Sequence, residues 1–221
     1  MLAIYGEVCK KNLKIFLLPA ALSALIVVIC LLFITDLRNC SPAFAANICQ
    51  KFFALTGILL LSPVFTPEQK DNTEETLLAK VIPLKIVYMI RLVSALATLA
   101  LFTAGFLGLL VILGGDIEFT RYFTHTYATA LFLGSLGFAA AKFTGNIGVS
   151  YIVAFGFYIV QAFFPIEITR YFYLFTLRSD EYYIVPIYVC ALILIVSPVL
   201  ISIKVSPFRL SWNKSRRSLN D

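Results

Sequence analysis

Charge is scarce in this chain. Only 14% of its 221 residues are Asp, Glu, Lys or Arg, against about 25% in an ordinary soluble domain, and a solvated globule is excluded on that ground. Histidine occurs once, at His125. One histidine rules out a multi-histidine zinc site within the chain, and no H-E-x-x-H motif is present. Its place at the outer end of the fourth apolar run suits an interfacial polar residue. No G-x-x-x-x-G-K-S/T phosphate loop occurs, so any ATP-driven work needs a motor supplied from outside. No G-x-S-x-G elbow marks a serine nucleophile. The pair Glu74 and Glu75 lacks the intramembrane histidines that accompany paired glutamates in intramembrane proteases, and the chain is expected not to be an enzyme. Its five cysteines, Cys9, Cys30, Cys40, Cys49 and Cys190, contain no C-x-x-C pair. Cys40 and Cys49 both fall near the first outer loop, where a disulfide is chemically permitted but free thiols are the commoner case.

Apolar residues are abundant instead, at 60%. They gather in about six long runs, near residues 15–34, 48–65, 86–113, 124–143, 148–164 and 184–205. A helix of about 20 residues crosses a hydrocarbon core of about 30 Å. A β-barrel would alternate polarity residue by residue, which runs such as LIVVICLLF do not. The expected fold is an all-α integral membrane protein with about six spans and no separate soluble domain.

Basic residues orient these spans. With the N-terminus inside, Lys10, Lys11, Lys14, Lys70, Lys80, Lys85, Arg91, Lys142, Lys204, Arg209, Lys214, Arg216 and Arg217 collect on the inner side. Arg38, Lys51, Arg121, Arg170 and Arg178 remain outside. Both termini then face the cytoplasm, and the net charge of +6 finds a sufficient partner in anionic lipid. Nucleic-acid binding by the basic tail, residues 206–221, is not expected. Residues 1–14 form a basic amphipathic approach, and 165–183 an aromatic outer segment suited to an interfacial or re-entrant helix. Arg91 and Lys51 lie near span ends and can snorkel. With so few ionisable residues inside the spans, a proton relay is disfavoured and a cargo with large apolar surface is favoured.

The most informative stretch is the insert 68–83, EQKDNTEETLLAKVIP. Its carboxylates cannot lie in hydrocarbon, so it sits on a membrane surface. Asn72 can cap a helix whose third position is Glu75. Glu74 and Glu75 fall at the positive end of the helix dipole, and Pro83 closes the element. Leu77, Leu78 and Val81 give it an apolar stripe.

This insert resembles the region after the second span in the ABC-2 type permease family, the membrane subunits of one class of ATP-binding cassette exporters. Glu68, Thr73, Glu75, Leu77, Leu78, Pro83 and Lys85 match that family's pattern, while Asn72 stands where glycine is usual. The resemblance extends to the span order and covers nearly the whole chain, and the insert is its specific part. It implies that Glu68, Thr73, Glu74, Glu75, Leu77, Leu78 and Val81 couple the chain to a separate ATPase subunit, which binds ATP and magnesium. It also implies a second permease chain and a prokaryotic cytoplasmic membrane. Spans two and five line the route in that family, which makes Phe52, Phe53, Thr56, Tyr151, Phe155 and Tyr158 candidates for contact with an amphipathic peptide, antimicrobial or hydrophobic drug. Small-residue stripes at Ala100, Ala104 and Gly108, and at Thr126, Ala130 and Gly134, suit close helix contacts within one subunit or between two. The rival reading is a membrane scaffold or immunity protein that binds its partner directly.

Overall fold

A computed structural model describes residues 18–35, 37, 40–65, 84–163, 173–175, 177 and 184–217. Among them no strand occurs, and six helical rods are formed: α1 (Leu18–Ile34), α2 (Pro42–Val64), α3 (Leu84–Ile112), α4 (Phe119–Thr144), α5 (Ile147–Phe163) and α6 (Ile184–Arg217). The insert with its seven coupling candidates, and the approach 1–14, lie outside the described residues. α2 and α3 contain stretches long and apolar enough to cross a membrane, Pro42–Val64 and Tyr88–Ile112. Shorter apolar stretches run over Leu18–Phe33, Ile147–Phe163 and Ile184–Leu200.

Helix ends follow local chemistry. α2 begins at Pro42, earlier than its apolar run suggests, because Ser41 in extended geometry accepts the Phe44 N–H at 3.4 Å and Pro42 has no N–H to leave unpaired. α4 ends at Gly145, whose left-handed φ of 68° lets its N–H reach the Ala141 carbonyl at 3.0 Å. Asn146 Oδ1 then accepts the Gly148 N–H at 2.8 Å and opens α5.

Successive helices run in opposite directions. Leu37, Cys40, Cys49, Phe53, Phe106, Leu110, Tyr122 and Leu177 share one apolar cluster, which brings the start of α2, the end of α3 and the start of α4 to one end of the bundle. The Tyr122 hydroxyl donates to the Pro42 carbonyl there, at 2.8 Å. Tyr188, early in α6, donates to the Thr124 carbonyl at 2.9 Å. At the opposite end Lys142 lies over the Tyr88 ring, 5.6 Å from its centroid, so the end of α4 meets the start of α3. These are called below the Cys40 end and the Lys142 end.

α4 is the central rod, packing against α2, α3, α5 and α6. α2 lies parallel to it and very close. A Cβ at Gly57 would collide with the Ala130 backbone carbonyl, and one at Gly134 would stand 2.5 Å from the Gly57 carbonyl oxygen. The stripe Thr126, Ala130 and Gly134 is therefore a contact within the chain, made possible by the missing side chains. The other stripe is different: a Cβ at Gly108 would meet nothing within 4 Å.

Polar residues lie inside beside the apolar core, while large apolar side chains face outward. The buried interior holds Gln50, Thr56, Ser62, Arg91, Thr103, His125, Thr126, Thr129, Ser135, Ser150 and Gln161. The rim is apolar: Ile26 and Phe33 on α1, Val93 and Leu101 on α3, Ile152 and Phe163 on α5, and Val185 and Leu192 on α6 are all exposed. The larger apolar cluster joins α1, α2, α3, α4, α5 and α6 through residues such as Ala24, Ile58, Leu99, Leu133, Ala154 and Ala191.

Candidate functional site: a buried strap at the Cys40 end

α2 is wound unevenly. Residues Ile48–Phe53 form wide π turns, Leu55–Leu61 returns to α geometry, and Ser62–Phe65 tightens to 3-10. Distortions of this kind re-aim side chains and recur at functional places. Here the wide turn carries Gln50, which is 2% exposed.

Both ends of the Gln50 amide grip the same piece of chain. Its Nε2 donates to the Leu174 carbonyl at 3.3 Å, and its Oε1 accepts the Leu177 N–H at 3.1 Å. Thr129 Oγ1 lies 3.1 Å from the same Leu174 oxygen and 2.9 Å from the carbonyl of His125 in its own helix. Leu174, Phe175 and Leu177 are buried. The irregular backbone of Tyr173–Phe175, followed by Leu177 in a 3-10 turn, thus enters the helix bundle, and the Leu174 carbonyl and Leu177 N–H are met by side chains of α2 and α4. That is the condition under which irregular backbone is tolerated away from water. The sequence suggests a helix for this outer segment, whereas Tyr173–Phe175 is irregular. Leu174 and Leu177 fill apolar space, while Gln50 and Thr129 satisfy the Leu174 carbonyl in place of a helical bond.

Aromatic rings complete the site. Phe175 meets Tyr158 of α5 edge-on at 6.2 Å and Tyr173 edge-on at 5.5 Å, and Lys51 Nζ stands 5.8 Å from the Phe175 centroid. A cation at that distance from a ring face contributes about 0.5 to 2 kcal/mol, depending on its access to water.

The six cargo candidates divide. Tyr158 joins the strap, and Phe52 is exposed on the rim. Phe53 is fully buried and stacked on Phe106 at 4.8 Å, and Thr56 is buried with its hydroxyl on the Phe53 carbonyl at 2.7 Å. Tyr151 and Phe155 lie 6.4 Å apart and pack half-buried against the larger cluster. They do not form one continuous surface in this chain.

The structure bears on three polar expectations. His125 is buried among the helices, with α4 surrounded by four neighbours. Arg91 is likewise packed inside the bundle instead of snorkelling from its rim. Cys40 and Cys49 are both free thiols within the apolar cluster, the commoner of the two cases open to them. Burial pushes the Cys40 thiol above its ordinary pKa. Among the described residues no group of three or more His, Cys, Asp or Glu could hold a metal ion.

Gln50, Thr129 and Gln161 are the polar residues that a reading confined to ionisable groups passes over. Their signal is an amide or hydroxyl inside an apolar run, and both amide atoms of Gln161 are buried without a partner. Comparison with protein-family models, with curated proteins and with solved structures returned no match.

Proposed function

We propose that this chain is the membrane-embedded permease subunit of an ATP-dependent exporter, working with a separate nucleotide-binding subunit and a second permease chain. The observation that carries the membrane part is the apolar rim of the bundle. Exposed Leu, Ile, Val and Phe on the rims of α1, α3, α5 and α6 suit hydrocarbon, while α4, with its threonines, serine and histidine, is kept away from lipid by its neighbours. Six alternating rods then become six spans. The basic residues favour a cytoplasmic Lys142 end, an outer Cys40 end and both termini inside.

The transport part rests on the sequence of the insert 68–83, between α2 and α3 in the chain. The short acidic helix expected from that sequence, with a Leu77–Leu78 anchor, would suit docking into a groove on an ATPase: the apolar pair would give affinity, and the flanking charges register. The apolar interior favours an amphipathic peptide or hydrophobic drug as cargo. The burial of Phe53 and Thr56 within one chain favours the second reading, a scaffold or immunity protein that binds its partner without moving anything.

Affinity purification from native membranes in mild detergent separates the two. A stoichiometric subunit that hydrolyses ATP, lost on Leu78→Asp while the permease stays folded in the membrane, is the expected result. Recovery of the chain without an ATPase under several gentle conditions would move the assignment to the second reading.

A further inference from the structure

We propose that Gln50 is a latch that holds the strap in the bundle and thereby seals the Cys40 end from water. This rests on the membrane reading above only in taking that end to meet an aqueous surface; it does not depend on what, if anything, is transported. Three observations carry it. The wide π turn aims a buried amide at the strap. That amide bonds a carbonyl and an N–H on opposite sides of Phe175, at 3.3 and 3.1 Å, so one side chain fixes both position and direction of the strap. Leu177 belongs to the apolar cluster that covers Cys40 and Cys49, so lifting the strap removes part of their cover.

Hydrogen bonds from side chains are a different kind of fastening from a helix ladder. A helix gives up its bonds cooperatively, whereas this attachment depends on one amide and one hydroxyl, with the Phe175 rings alongside. When Gln50 turns away, the Leu174 carbonyl and Leu177 N–H lose that partner at once. The Leu174 carbonyl keeps Thr129, but a Leu177 N–H without Gln50 is unfavourable in an apolar interior and gains a new partner by moving toward water. The latch therefore has two states, seated and lifted, and Gln50 sets the balance between them.

Cys49, next to Gln50 and fully buried, is the built-in reporter. The test uses the full chain in sealed vesicles of both orientations, with the other four cysteines replaced by alanine and a charged, membrane-impermeant maleimide as probe. The modified peptide is identified by mass spectrometry. Labelling of Cys49 is expected to be slow in this background. It should rise about tenfold in Gln50→Leu, the factor that about 1.4 kcal/mol of lost hydrogen bonding gives, and less in Thr129→Val. Ser150→Ala removes a comparable bond, Ser150 to the Gly137 carbonyl at 2.7 Å, near the far end of the bundle, and should leave the rate unchanged. Equal labelling in the background and Gln50→Leu overturns the latch. So does an equal rise in Ser150→Ala, which would mark general loosening. The vesicle orientation that labels reports separately which side the Cys40 end faces, so an error in topology is distinguishable from failure of the latch.

Discussion

α3 and α4 are close in length, 29 and 26 residues, and opposite in character. α3 is rich in Leu, Val and Ile and keeps one side exposed. α4 carries Arg121, His125, Lys142, five threonines and a serine, yet it is buried along most of its length. An isolated helix in water would expose such residues. The difference teaches that polarity need not lie at the surface: a rod rich in threonine takes the centre because its neighbouring helices surround it. Its small residues matter as much as its polar ones, since Ala130 and Gly134 let α2 approach to backbone contact.

The comparison breaks most easily at that contact. Gly57→Leu forces a side chain into the Ala130 carbonyl, and separating α2 from α4 is expected to cost about 3 kcal/mol or more. Thermal unfolding and monodispersity in detergent would read the loss, and an unchanged melting temperature would mean that the close seam is absent in solution.

A smaller effect is expected from Leu101→Lys on the outward face of α3, where Leu101 is 73% exposed. If that face meets hydrocarbon, a charge near the middle of the helix costs about 2.5 to 3.5 kcal/mol of apparent insertion free energy. A surface position in water would tolerate the same change within about 0.5 kcal/mol. A membrane-insertion reporter measured beside Leu101→Ala distinguishes these outcomes, and equal insertion of both variants would remove α3 from the lipid boundary.

The smallest effect concerns the ends of the rods. Because burial raises its pKa, Cys40 holds less thiolate at neutral pH than an exposed cysteine does. Its alkylation in the folded chain should lag behind that in the unfolded chain, and the gap should narrow as pH is raised toward the elevated pKa. Equal rates at neutral pH would show that the Cys40 end is open.

Much of this architecture could be read from residue order. The all-helical class and the six rods follow from apolar runs too long and too continuous for strands. The stripe at Thr126, Ala130 and Gly134 was visible too, although its partner was not: nothing in local sequence says that Gly57, far away in the chain, fills the facing position. Helix starts were legible only where their chemistry was weighed, and Ser41–Pro42 is a start signal that an apolar-run boundary at 48 misses. The strap was the least legible. Its burial depends on Gln50, and a glutamine in an apolar run does not announce its partner. The irregular path of Tyr173–Phe175 is supported by one side chain more than a hundred residues away, Gln50, and by Thr129, which bond the Leu174 carbonyl in place of a helix.

The wide turn at Ile48–Phe53 also has a consequence for the lineage of this chain. A π turn arises when one residue is added to an α-helix without unravelling it. Deleting a single residue there would restore regular winding with little rotation of the segments on either side, and would re-aim the side chains within the turn itself, Gln50 among them. A related chain with a one-residue gap at this point would be expected to fasten its outer segment by other means.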